Sequence, residues 1–580
     1  MLGRSKYKRR APTAVLGITA LLAAVSTAPA AASAAPAPVQ VSIFASPSTG
    51  VVNLNTNWFT KYVEKKFNMH INWVLAPSSD TSTKAALLLA SGKYPDAFFD
   101  PSIPLASILK YGQEGVVVPL NNLINEYAPN VAAGMKANPT AREAAGPPKG
   151  PIYDVAYFNY CWHCNWHTKG WISTQLLNKY HLSVPTTTAQ LTHVLEVFKS
   201  NGVTAPLTGA GPISSSTCWG CDVVTWLMNS FIYDPGSENA SGYFEIGPGG
   251  KLLFSPAQPQ WRAGLTYIHG LYQDGLINSS ALIQTNTELE TQLSQPGSTG
   301  AFVAGGPNGE VPTNEESGQW LPVPPLKGPS GARYAAFYGN GSQATPGMLI
   351  TNNANSAQKE ALMKLANFLW TPLGTEMMDF GPEGKYWTPA KPGQKGLNGN
   401  QAIYNTNFDE FYSTNVYQND GWNQMGPMDQ SAAWRNGSLV AVSPLTPAGA
   451  QELLQFATQA FYAGFEPSEV VPSSIWVPPA DSQTYATLET NIGDYVEQWS
   501  DEFVDGSKSL STDWNSYLNG LNGLRLAQYT ALTKQSMGAP LSTVGYVSDP
   551  SGVKYLKSLV SSSDATALQL FSTAYTQVRG

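Results

Sequence analysis

Between residues 39 and 99 short apolar runs alternate with amphipathic ones, and this alternation limits the possible fold more than any other feature of the chain. Val39–Phe44 reads as a strand, and Asn57–Phe67 follows with Trp58, Tyr62 and Val63 spaced for one helix face. Ile71–Leu75 reads as the next strand, Thr83–Ser91 as a helix ended by Gly92, and Ala97–Phe99 as a short buried strand. The order strand, helix, strand, helix, strand predicts an α/β fold with a parallel sheet and helices on its faces. In such a sheet ligands sit beyond the carboxyl ends of the strands. That places Ser46 and Pro47, after the first strand, and Phe99 and Asp100, at the end of the third, among the expected ligand contacts. At 580 residues the chain exceeds what one core serves, so two lobes are expected.

The amino terminus carries Arg4, Lys6, Lys8, Arg9 and Arg10, then an apolar run from Ala14 to Val25, then small residues over 28–34. That order is the pattern of a secretory signal, and its apolar run is too short to span a bilayer. Ala32-Ser33-Ala34 predicts cleavage after residue 34, while Arg9-Arg10 followed by Ala-Pro-Thr matches a twin-arginine signal only weakly. No later stretch offers about eighteen apolar residues in a row, so an exported, soluble, extracytoplasmic protein is expected. Without the leader, Lys plus Arg falls from 33 to 28 against 40 Asp plus Glu, a net charge of −12. An acidic chain without basic runs excludes nucleic acid and anionic lipid as natural partners and favours a neutral ligand. Aromatics make up 11% of the chain, with 16 Trp and 27 Tyr. Most of them must fill cores, but Trp faces also stack on sugar rings, so the composition suits a carbohydrate.

Further helices are expected at 185–199, opened by Pro-Thr-Thr-Thr, at Trp261–Asp274, at Lys359–Trp370 and at Tyr485–Phe503. The Gly-, Pro-, Asn- and aromatic-rich stretch from Gly381 to Gly449 reads as loops.

Seven segments in order resemble the extracellular solute-binding proteins of the type 1 group, the large sugar-binding lipoproteins of ABC importers. They are Leu-Leu-Ala-Ser-Gly-Lys-Tyr-Pro-Asp at 88–96, Gly115 to Tyr127, and Pro185-Thr186-Thr187. Gly270 to Leu276, Pro324 to Pro329, Gly381 to Gly384, and Phe503-Val504-Asp505-Gly506 with Trp514, Tyr517 and Gly523-Leu524 complete the set. The resemblance implies a two-lobed, periplasmic-binding-protein-like (type II) fold with a hinge and an interlobe cleft. It implies a carbohydrate captured without covalent chemistry and handed to ABC permease transmembrane subunits, with no cofactor and a monomeric receptor. One lobe is expected to hold 39–155 and 335–420, and the other 156–334 and 421–537. Two departures stand out. The lipid-bearing Cys of the family is missing at the cleavage site, since the first Cys is Cys161. The tail 538–580 also runs past the family's usual end and finishes in an apparent amphipathic helix, Ala565–Val578.

All four cysteines lie in two C-x-x-C turns, Cys161-Trp-His-Cys164 and Cys218-Trp-Gly-Cys221. Four thiolates could bind zinc, with His163 and His167 nearby. An exported protein favours two disulfides instead, and pairing across the turns is expected to be less strained than closing each turn on itself. Either arrangement would hold two aromatic loops together, with Trp162 and Trp219 as stacking platforms or as packing beside the crosslink. The remaining expected ligand contacts are Tyr338, Trp387, Trp422 and Trp434, chosen from loop position and side-chain chemistry. No G-x-S-x-G, H-E-x-x-H or P-loop is present, and Asp234 to Glu245 lacks EF-hand spacing. A secreted polysaccharide-active enzyme, needing two facing carboxylates, is the alternative. A peptide-binding receptor, with Arg435 beside Trp434 holding a terminus, is a third reading.

Overall fold

The structure is a computed structural model. It describes residues 37–48, 50–77, 80–147, 149–211, 218–236, 242–307, 320–338, 343–408, 418–446, 449–472, 474–543, 550–560 and 565–579. The expected export signal, 1–34, lies outside the described residues.

Val41, Ile43, Phe44 and Ala45 are all buried along the first strand, β1 (Val39–Ala45). Asn57 accepts from the N–H groups of Phe59 and Thr60 and so caps the helix Trp58–Phe67, which ends at Asn68 in the left-handed region, φ 47°. β2 (Met69–Leu75) pairs parallel to β1 in register from Val39↔Met69 to Ala45↔Leu75. The helix Thr81–Ser91 ends at Gly92, φ 72°, before β3 (Ala97–Phe99), which lies parallel on the other side of β1. The alternation therefore builds the βαβαβ unit expected of it.

The other strands of the two main sheets are β4 (Asp154–Asn159), β5 (Lys169–Ser173), β6 (Ala205–Thr208), β7 (Thr299–Ala304), β8 (Trp320–Val323), β9 (Gln343–Ile350) and β10 (Met428–Gln430). The first sheet runs β10-β4-β9-β3-β1-β2 and the second β8-β5-β7-β6. Neither is wholly parallel: β9 lies antiparallel between β3 and β4, and β5 is antiparallel to both β7 and β8. The expectation of a parallel sheet holds for β1–β3 and is corrected beyond them, because β9 enters the sheet from the other lobe rather than through a helical crossover.

Apolar side chains divide between a core around the first sheet and a core around the second, and Tyr160 packs against both. The chain passes between these cores after Asn159, again between Phe337 and β9, and a third time between Leu439 and Ala441. Residues 421–439, expected in the second lobe, pack with the first: Trp422, Met425, Met428, Trp434 and Leu439 all lie in its core. Strand β10 explains this, since it pairs with β4.

The long helix Pro479–Asp505 and the tail complete the second core. Helix Ala565–Arg579 presses Phe571 onto Phe456, ring centroids 4.4 Å apart. Arg579 donates to the carbonyls of Ala460 and Ala463, which flank the end of a π-turn at Thr458–Tyr462. No helix among the described residues is long and apolar enough to cross a membrane.

Candidate functional site

In the first lobe the strand ends carry polar groups and strained backbone. Ser46 follows β1 with its Oγ buried and without a hydrogen-bond partner among the described residues. Asp100 follows β3 at φ 41°, and Ser102 lies at φ 51°. Facing them is the loop after Trp422, where Asn423 (φ 51°), Gln424 (φ 61°) and Gly426 (φ 102°) are also left-handed. Side chains with a β-carbon rarely occupy this region, and clusters of such residues mark ligand clamps. Gly426 has no alternative, because a Cβ there would lie 2.9 Å from the Phe99 ring.

Hydrogen bonds hold the loop in place. Asp100 Oδ2 accepts from the Gly426 N–H, and Asn423 Nδ2 donates to Ser48 Oγ at 2.8 Å. The Tyr157 hydroxyl donates to Gln424 Oε1 at 2.8 Å, and Asp379 accepts from Gln424 N and Gln430 Nε2. Burial pushes the Asp100 carboxyl up to about 8 and that of Asp379 to about 7. Asp154, deeper in the same sheet, is raised well above the usual range, first by burial and then by the Asp100 charge. Protonated carboxyls at this edge offer hydrogen-bond donors as well as acceptors.

The second lobe presents aromatics on crosslinked turns. The sulfurs of Cys161 and Cys164 are bonded, as are those of Cys218 and Cys221, with Cα atoms 5.2 and 5.6 Å apart. Each turn closes on itself, which corrects the expected pairing across turns. The reason is local: a 3₁₀ turn at Trp162–Asn165, held by Asn165 Nδ2 to the Trp162 carbonyl at 2.9 Å, brings the first pair within bonding range. Among the described residues Cys161, His163 and Cys164 are the group able to meet around one metal ion, within 4.8 Å, but both sulfurs are committed to the disulfide. His167 stacks on Tyr338 with centroids 4.0 Å apart, and Tyr338 N donates to the Asn165 carbonyl. Trp162 leans on Trp166 at 4.9 Å, and the carbonyl of half-buried Trp219 accepts from Gly305 N. Burial, then the neighbouring Lys169 charge, lowers the His167 pKa to about 3 and depresses that of His163 as well. Both imidazoles are therefore neutral acceptors or donors. A small cavity between the cores is lined by Trp162, His163 and Gln451 on one side and by Phe408, Arg435 and Leu397 on the other.

The expected contacts thus fall into two sets. Ser46 and Asp100 meet in the first lobe, while Trp219 and Tyr338, both half-buried, lie in the second with Trp162, which is itself buried. Phe99, Trp387, Trp422 and Trp434 are core side chains, each no more than 3% exposed, so their expected role as stacking faces is corrected. Trp422 wedges among Phe59, Trp73 and Phe99 and donates to Thr60 Oγ1, and Trp387 donates to the Gly381 carbonyl. Sequence reasoning missed Asn423, Gln424 and Lys169, and weighed His167 only as a neighbour of a zinc site. The run Trp422-Asn-Gln-Met-Gly426 is polar and loop-like, but its left-handed backbone depends on contacts distant in sequence.

No family model matches the chain. Among curated proteins, the fructooligosaccharide ABC transporter substrate-binding protein FusA of Streptococcus pneumoniae is 22% identical over 499 residues, covering 83% of this chain and 86% of FusA. The structure of S. pneumoniae FusA in complex with kestose superposes with a TM-score of 0.69 at 21% identity, covering 86% of this chain and 98% of that one. An extracellular solute-binding protein from Bifidobacterium longum subsp. infantis superposes with a TM-score of 0.72 at 19% identity, covering 86% and 97%. The chain has the two-lobed fold of the extracellular solute-binding proteins of ABC importers, the group it resembles in sequence.

Proposed function

We propose that this chain is the extracytoplasmic receptor of an ABC importer and that it captures a neutral oligosaccharide. One observation carries the reading: polar strand ends on one core and aromatic turns on another, joined by three chain crossings, in the fold of a protein crystallised with kestose. Closing two such lobes over a sugar gives its hydroxyls the Asp100, Ser46 and Asn423 side or its backbone amides, and its C–H faces the Trp162, Trp219 and Tyr338 side. Binding energy is thereby coupled to a shape that permease subunits can read. The receptor acts as a monomer, is exported on its signal segment and performs no covalent chemistry.

A thermal-shift screen of the mature protein tests this, with kestose, nystose, other neutral oligosaccharides and alginate oligomers, and with peptides as controls. A sugar at about a hundred times its dissociation constant adds about 2.7 kcal/mol of stability, enough to move the melting temperature visibly. A shift confined to neutral sugars is expected. A shift with peptides alone would replace this reading with the peptide receptor.

A further inference from the structure

Lys169 opens β5 with its side chain fully buried, and it takes part in none of the ion pairs among the described residues. Its ammonium donates to the carbonyls of His163 at 3.1 Å, Trp166, and Gly305 at 3.3 Å. It also lies 5.9 Å from the ring centroid of Trp219 and 5.9 Å from that of Tyr462. Burying an ammonium without a counter-charge is costly. An ammonium has three N–H donors, and main-chain oxygens take all three, so none remains for a solute.

The groups that this cage joins define its use. His163 lies inside the turn closed by Cys161–Cys164, and Trp166 follows that turn by two residues. Gly305 N donates to the Trp219 carbonyl at 2.9 Å, inside the turn closed by Cys218–Cys221, and Gly220 packs so closely on the His167 carbonyl that a Cβ would lie 2.3 Å away. Each disulfide closes its own turn, and neither spans the two turns. We propose that Lys169 is a positioning residue whose caged ammonium holds the two cysteine turns in register and so sets Trp162, Trp219 and His167 against the cleft.

Its consequence for sugar affinity rests on the proposed receptor function; its consequence for the turns does not. A neutral amine has two N–H groups for three carbonyls and turns a lone pair toward the third. Burial lowers the Lys169 pKa to about 7, so the cage loosens near neutral pH. The titratable groups around it are His163 and His167, both depressed, and Tyr462, pushed up by burial. Asp222, beside the second turn, and Glu466, which accepts from Trp166 Nε1, are both raised by burial.

Hydrogen exchange on the full mature chain tests the proposal, from about pH 5.5 to about pH 8.5 and corrected for intrinsic rates, with the β1–β3 amides as internal reference. In the wild type, protection of residues 161–167 and 218–221 should fall together across that range by roughly tenfold more than that of the reference. Lys169→Met should show the low protection in both turns already at the acid end. Lys169→Arg, which stays charged, should lose the step and serves if the Met variant does not fold. No step in the wild type, a response in one turn only, or an Arg variant that keeps the wild-type step would overturn the proposal. Sugar titrations on the same proteins separate the two claims. No sugar binding by the wild type removes the receptor reading and leaves the exchange result standing, whereas sugar binding with exchange indifferent to Lys169 removes this proposal alone.

Discussion

The two lobes face the same problem, holding polar loops at the ends of strands, and solve it differently. The first relies on left-handed backbone at Asp100, Asn423, Gln424 and Gly426, locked by hydrogen bonds onto buried carboxyls. Beneath that loop sits an aromatic base of Trp422, Phe59, Trp73 and Phe99. The second relies on covalent closure of two short turns and on one buried ammonium between them. Where the first lobe hides its aromatics to support a polar edge, the second leaves Trp219 and Tyr338 half-buried at its edge and buries the polar support. Aromatic content alone therefore says little about which rings stand at an edge; the lobe's way of anchoring its loops decides it.

The largest effect should come from Trp422→Ala. Its indole is fully buried, and truncation of such a side chain costs about 3–5 kcal/mol. Trp219→Ala should cost less than about 1.5 kcal/mol of stability and weaken sugar binding about tenfold or more. Denaturant titration beside calorimetry reads both; equal stability losses would erase the contrast between base and edge. Next comes the double change Cys161→Ser with Cys164→Ser. The loop it closes is short, so the chain-entropy estimate is only about 2 kcal/mol, and a loss much larger than this would mean the turn is scaffold for the whole lobe.

The smallest effect is electrostatic. Asp100, Asp154, Asp379 and Glu376 all have folded pKa values raised by burial. The folded state then keeps protons that the unfolded chain releases. Stability is highest below the ordinary carboxyl range and falls as pH rises through about 7 for Asp379 and about 8 for Asp100. Asp100→Asn keeps an acceptor for Gly426 and cannot ionise, so it should match the wild type in acid and be more stable than it at alkaline pH. Melting curves across pH settle this, and a variant less stable than wild type at high pH would show that the charged carboxylate is what the loop requires.

Much of the first lobe was legible in the sequence because β1–β3 and their helices are local, with periodicity, Asn57 and Gly92 marking their ends. The strand-end rule pointed to Ser46 and Asp100 for the same reason, and the structure sets them at the ends of adjacent strands. Strand β10 is three residues long and has no periodicity to read, so 421–439 was assigned to the wrong core. The partners of Asn423 and Gln424 lie at Ser48, Tyr157 and Asp379, distances along the chain that no local pattern records. Trp422 and Trp219 are the same residue in similar loops, and only packing separates the core side chain from the half-buried one. The cysteine pairing turned on a single 3₁₀ turn, which the spacing C-x-x-C allows but does not require.

Isothermal titration of the mature wild-type protein with purified neutral oligosaccharides, followed by chromatography of the recovered sugar, tests the central claim most directly. The account predicts saturable one-to-one binding of a sugar that is recovered intact. Absence of binding across the sugar panel, or recovery of shortened sugar, would contradict it.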